Sequence, residues 1–261
     1  MVDALIPVAS AANPTQAIDI VDVSRYFTVN EGIFQALDRI SLTVKKGEFV
    51  SLIGPSGCGK STLLRMLAGL DRPDSGQVLV SGVPIDAPSL SRGIVFQDHR
   101  LLPWLSVEDN ILLSLKRQGG ATEQNRQSVA RLIELVGLSG FEKAWPHQLS
   151  GGMSQRAAIA RCLAPNPEIL LLDEPFGALD SLTRRRLQQE LLQVWEKNQL
   201  TTVMVTHDID EALYLSDRII VLKPRPGRLH NQYEVALSRP RSLDDPALLE
   251  IKREIQRALD V

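Results

Sequence analysis

Residues Gly54 to Ser61 read G-P-S-G-C-G-K-S, a match to G-x-x-x-x-G-K-[ST]. In that pattern backbone amides cradle phosphates, the lysine reaches the β and γ oxygens, and the final hydroxyl holds magnesium. Lys60 and Ser61 occupy those two positions, while Gly54, Pro55, Ser56, Gly57, Cys58, Gly59 and Thr62 supply the surrounding backbone. Further along, Gln97, the run Leu149-Ser150-Gly151-Gly152-Met153, the pair Asp173-Glu174 and His207 offer amide, hydroxyl, carboxylate and imidazole groups to the same phosphate chemistry. A lone glutamine or histidine is more often a satisfied polar group than a ligand, and an Asp-Glu pair can be surface acid. The case therefore rests on where these groups sit.

Apolar runs set their positions. Phe49 to Ile53, Ile94 to Phe96, Ile169 to Leu172, Thr202 to Val205 and Arg218 to Leu222 are nearly continuous rather than alternating, as strands covered on both faces must be. Helical patterns separate them, so the spacing predicts an α/β fold with a parallel sheet. Gly54 follows the first run, Gln97 the second, Asp173 and Glu174 the third, and His207 the fourth by way of Thr206. Ligands of open α/β sheets bind beyond the carboxyl ends of the strands, which brings these residues to one nucleotide. Ser61 to Leu70 reads as a helix whose N-terminus directs positive partial charge at the anion.

Between Gln97 and Ile169 the pattern is helical, with Ser106 capping Val107 to Leu115 and a second helix near Glu123 to Val136. A small-residue helix, Ser154 to Ala164, is stopped by Pro165 and Pro167. Ser150, Gly151 and Gly152 at its start form a second anion site or a simple loop and cap. A single nucleotide does not need that site; a neighbouring subunit's nucleotide would.

Composition narrows the function classes. The chain has 261 residues, 44% hydrophobic and 23% charged, enough for a large core. Its formal net charge of -2 gives no basic field for nucleic acid. No run approaches the roughly 20 apolar residues of a membrane span. The stretch Met1 to Ala17 lacks the basic flank and long apolar run of a signal peptide and reads as a disordered tail. Two cysteines, Cys58 and Cys162, suggest a reducing cytoplasm and match no metal spacing. Cys58, among loop amides and near Lys60, has two readings: a thiolate favoured by that setting, or a small space-filler.

With these segments in this order, the chain resembles the nucleotide-binding subunit of an ABC transporter over about residues 18 to 225. The resemblance implies a P-loop NTPase (RecA-like) core with a helical subdomain inserted at about 98–165, an N-terminal β-rich portion, and a short C-terminal extension over 226–261. It implies ATP and Mg2+ as cofactors, with magnesium held by Ser61 and Asp173 and sensed by Gln97. Glu174 would orient or deprotonate the attacking water, and His207 would contact the γ-phosphate. Ser150 and Gly152 would complete the pocket of an opposite subunit, and the resemblance counts Gly151 and Asp180, the latter at the centre of the family's D-loop, among the nucleotide-binding residues. The family stacks adenine on an aromatic residue, for which Phe27 is favoured and Tyr26 is the competitor. Met153 departs from the family's L-S-G-G-Q; Ser150 and the glycines that handle phosphate remain.

The implied partners are a second ATPase subunit in a homodimer or heterodimer, two membrane permease subunits and an extracytoplasmic solute-binding protein, with no nucleic acid. Such a subunit lies peripherally on the cytoplasmic face of the bacterial inner membrane. Its docking surface would be Gln97 to Asn110, where Leu101, Leu102 and Trp104 either anchor a partner helix or form the core of the subdomain. A DNA-repair ATPase of this class would place a long coiled coil between the phosphate loop and Leu149, and a translation factor would carry two cassettes; neither is seen. The phrases F-Q-D-H-R-L-L-P-W, H-Q-L-S-G-G-M-S-Q-R and L-L-L-D-E-P-F-G-A-L-D resemble the importers of nitrate, taurine and aliphatic sulfonates, the sulfonate members most of all.

Overall fold

The computed structural model describes residues 16–29 and 32–259. Strands β1 (Gln16–Val29) and β2 (Gly32–Lys45) pair antiparallel, with Phe27 opposite Phe34. β3 (Phe49–Ile53) runs into the glycine-rich loop and then α1 (Lys60–Leu67). β4 (Ser75–Val80) and β5 (Val83–Pro84) complete a four-stranded antiparallel sheet ordered β2-β1-β4-β5. After β6 (Arg92–Val95) come α2 (Val107–Ser114), α3 (Glu123–Leu135) and α4 (Gly151–Leu163). The chain continues through β7 (Ile169–Asp173), α5 (Ser181–Asn198), β8 (Thr201–Val205), α6 (Ile209–Leu215), β9 (Arg218–Lys223), β10 (Arg228–Glu234) and α7 (Pro246–Leu259).

The second sheet has the order β10-β9-β3-β8-β7-β6 and is parallel except for β10. Every residue of β3 and β8 is buried, which is why these strands carry no polar alternation. One face packs against α1 and the β1–β2–β4 sheet through Ile18, Leu37, Leu63 and Leu67. The other packs against α4 and α5, where Phe49 meets Trp195 edge-to-face at 6.0 Å between ring centroids. A third cluster joins α6 and α7 to β9.

Several boundaries differ from those read in the sequence. Gln16 and Ala17 belong to β1, because Ala17 is buried against the core; residues 1–15 of the expected tail lie outside the described residues. The second parallel strand is Arg92–Val95 rather than Ile94 to Phe96, in register with Ile169 to Leu172. Helix α1 begins at Lys60 and stops at Leu67, where the chain turns through Gly69 with φ of 77°. Helix α4 begins at Gly151, three residues before Ser154, because Ser150 caps it. The sheet also runs on past Arg225: β10 adds an antiparallel edge strand to β9.

Candidate active site

The carboxyl end of β3 delivers the chain into a loop that only glycine can close. Gly59 has φ of 90°, and a Cβ there would collide with Leu37 Cδ2. That close approach sets the β2 backbone beside the loop and starts α1 directly at Lys60. Lys60 is only 8% exposed. Its Nζ donates to Gly54 O at 2.7 Å and Pro55 O at 3.1 Å. Ser61 Oγ donates to Asp173 Oδ1 at 3.0 Å across the ends of α1 and β7. Burial pushes the Asp173 carboxyl above its ordinary value, the Ser61 hydrogen bond opposes that, and the neighbouring Glu174 charge adds to it.

Glu174, just past β7, takes a left-handed backbone with φ of 46° while its N–H donates to Val205 O at 2.9 Å. This pins the turn to β8 and directs the carboxylate toward two other strand ends. Glu174 Oε2 lies 3.2 Å from His207 Nδ1 and accepts from Gln97 Nε2 at 3.5 Å. The residues that follow β6, β7 and β8 thus meet at one carboxylate, beside the loop that follows β3.

A pocket of about 320 Å3 opens over this loop, lined by Lys60, Ser61, Thr62, Glu174, Phe27 and Phe34 among others. Phe27 lies under the Arg25 guanidinium, 4.8 Å from its ring centroid, and faces the pocket. Tyr26 does not line it, because adjacent strand residues point to opposite faces. Phe34 and Ala36 were not singled out by sequence reasoning. The signal for them is the β1–β2 register, which sets Phe34 opposite Phe27. Asn110 was also missed as a positioning group: fully buried, it accepts from Leu102 N and donates to the Leu102, Leu105 and Ser106 carbonyls, fixing the loop beyond Gln97. That loop buries Leu101, the core alternative of its two readings, and leaves Trp104 65% exposed.

Residues 37–177 match the sequence model of the ABC transporter family. The chain belongs to that family. The aliphatic sulfonates import ATP-binding protein SsuB of a Bacillus cereus strain is 48% identical over 238 residues, covering 91% of this chain and 94% of the relative. The protein of the same name from Bacillus subtilis (strain 168) is 49% identical over 219 residues, or 84% of this chain and 85% of the relative. Among solved structures, an ATP-binding cassette in a dimeric post-hydrolysis state bound to ADP and Pi superposes with a TM-score of 0.78 at 35% identity. The match covers 85% of this chain and 100% of that one. This chain is therefore an ATP-binding, ATP-hydrolysing ABC cassette with the P-loop α/β fold.

Within the single cassette, two of the expected segments stay away from the Lys60 pocket. Ser150 Oγ accepts from Met153 N at 3.3 Å and caps α4. A Cβ on Gly152 would come within 2.9 Å of Leu179 Cδ2, so Gly152 and Gly151 let the start of α4 press against Ala178 and Leu179. Asp180 caps α5 by accepting from Leu182 N and Thr183 N, and hydrogen bonds from Thr183 and its neighbours hold its carboxyl below the ordinary value. No residue of these segments lines the pocket.

Of the two readings of Cys58, the burial supports the space-filler. Its side chain is fully buried, with Sγ 3.7 Å from Lys60 Nζ, and burial pushes the thiol up despite the lysine charge. Cys162, also buried, is pushed up to about 12 from 9.0. Folded cassette should resist maleimide at neutral pH, with both thiols labelling only after denaturation. Rapid loss of ATPase activity traced to Cys58 would contradict this. Because the folded chain holds these protons more tightly, the stability present below pH 9 should fall as pH rises toward 12.

Proposed function

We propose that this cassette hydrolyses ATP with Glu174 as the base that orients or deprotonates the attacking water, and that hydrolysis drives import of an aliphatic sulfonate. The observation that carries the hydrolytic reading is the meeting of Gln97 and His207 at the Glu174 carboxylate, beside the Lys60 loop. Phosphoryl transfer asks mainly for positioning and charge compensation. Lys60 offers a cation to the β and γ oxygens, the first amides of α1 add positive partial charge, and His207 can hold the γ-phosphate while Gln97 holds the water. Phe27 and Phe34 give the adenine an apolar surface.

A divalent cation fits the hydroxyl and carboxylate pair Ser61 and Asp173, hard oxygen donors 3.0 Å apart. No cluster of three or more metal-binding side chains occurs among the described residues, which suits Mg2+, an ion usually held by one or two carboxylates plus phosphate oxygens. Bound there, Mg2+ would neutralise charge on the phosphate oxygens.

The pocket is lined by residues of β1, β2, the phosphate loop and Glu174, and by none of the residues that start α4 or cap α5. Ser150, Gly151, Gly152 and Asp180, which do not reach their own chain's pocket, would complete that of a second cassette. This accounts for two anion-seeking helix starts in one chain. No helix among the described residues is long and apolar enough to cross a membrane. As in a sulfonate importer, the path for the cargo would belong to partner permease subunits at the inner membrane, supplied by an extracytoplasmic binding protein. Trp104, on the loop that Asn110 fixes, is the exposed anchor for those partners. The cargo rests on the sulfonate-importing relatives. Deletion of the gene should abolish growth on alkanesulfonates as sole sulfur source and spare growth on sulfate. Failure on taurine or nitrate alone would move the cargo assignment, and normal growth on all would reject import.

A further inference from the structure

The segments that start α4 and cap α5 lie outside the pocket, yet an unbroken set of contacts joins them to Glu174. Gly152 is pressed against the Leu179 side chain, and the Leu179 carbonyl accepts from Arg184 Nη2 at 3.2 Å. Arg184, in the first turns of α5, also donates from Nη1 to Asp208 Oδ2 at 3.5 Å, and its Nε lies 3.8 Å from Glu211 Oε1. Glu211 Oε2 accepts from Thr206 Oγ1 at 2.7 Å, and Thr206 Oγ1 in turn accepts from Asp208 N at 3.0 Å. Asp208 Oδ1 accepts from Asp210 N and Glu211 N at the start of α6. His207 is thus held by both its chain neighbours, and its ring reaches Glu174.

Two details mark this as more than a structural clamp. Arg184 Nε is buried without a hydrogen bond. Beside it, a cavity of about 50 Å3, room for a water molecule, is bounded by Glu174, Arg184, Thr206, His207 and Glu211. A shift of about 1 Å would bring the guanidinium into hydrogen-bonding range of Glu211, and the cavity leaves space for it.

We propose that Arg184 is a positioning residue that ties the placement of His207 at Glu174 to the placement of Leu179 and Asp180. The proposal rests on the hydrolytic reading above. Through it, a second cassette engaging the Gly152 and Asp180 segments would set the catalytic group of the chain it touches. The warrant is a continuous series of contacts through groups with room to move.

The test is single-turnover hydrolysis of labelled ATP with cassette in excess, so that slow variants stay measurable. Arg184→Lys keeps the charge but cannot bridge three acceptors. It should slow hydrolysis about 10- to 100-fold, the scale of a small misplacement in a site, while ATP affinity and thermal midpoint stay near wild type. In a His207→Ala background the same substitution should add less than about twofold, since residues acting through one another are not additive. Asp208→Asn breaks the link from its other end and should repeat both results, covering the case in which Arg184→Lys misfolds. Equal slowing with and without His207, or none in the wild-type background, overturns the proposal alone. A wild-type cassette without hydrolysis overturns the functional reading and this one with it.

Discussion

Glu174→Gln should retain ATP binding and lose about 10²- to 10⁴-fold in steady-state hydrolysis, the usual range for a removed general base. That corresponds to about 3–5 kcal/mol of barrier at 1.36 kcal/mol per tenfold. The amide is nearly isosteric with the carboxylate and can keep the contacts to Gln97 and His207, but it cannot accept a proton from water. Binding should survive because the groups proposed to hold the phosphates, Lys60 and the loop amides, do not depend on the Glu174 charge: Lys60 is held by the Gly54 and Pro55 carbonyls. A fluorescent nucleotide titration alongside phosphate release separates the two effects. Turnover within a few-fold of wild type would remove Glu174 from the role of base.

The second large effect is on stability. Phe176, two residues beyond Glu174, is fully buried in the cluster that includes Leu172, Leu179 and Leu187. Phe176→Ala should destabilise the folded chain by about 3–5 kcal/mol, the range for deleting a buried aromatic ring. For a chain of this size that lowers the thermal midpoint by roughly 10 °C. The turn that carries Glu174 is anchored by this ring on one side and by the Glu174 N–H to Val205 O bond on the other. The surviving folded fraction should therefore also hydrolyse more slowly. Calorimetry with activity per folded molecule reads both; a midpoint within about 2 °C of wild type would show that the turn needs no such anchor.

The strand ends were legible because each is a local pattern. Ile169 to Leu172 announces a buried strand, and the polar pair after it must then lie at the sheet's carboxyl edge. The loop Gly54 to Ser61 is a contiguous motif, so no tertiary contact is needed to recognise it. What escaped the sequence depends on contacts between distant segments. Phe34 reaches the pocket through the β1–β2 register, which contains several shifts that alternation cannot reveal. Cys58 looks exposed in a glycine-rich loop, but it is packed into the cluster with Leu37 and Leu222. Arg241, in the C-terminal segment, is buried among the carbonyls of Leu213, Ser216, Val235 and Leu237, and burial lowers its guanidinium to about 10. A charged residue in a polar stretch gives no hint of that stitch. The start of α4 differs from the sequence reading because it begins on glycines of low helix propensity, and there the Ser150 cap decides; α1 starts directly after the left-handed Gly59, with no side-chain cap.

The central proposal is that hydrolysis at Glu174 of this cassette powers sulfonate entry. The most direct measurement is uptake of a radiolabelled alkanesulfonate by a deletion strain supplied with either wild-type chain or Glu174→Gln at equal abundance. The account predicts that wild type restores uptake and that Glu174→Gln leaves it at the level of the deletion strain. Full uptake with Glu174→Gln, or uptake independent of the chain altogether, would contradict it.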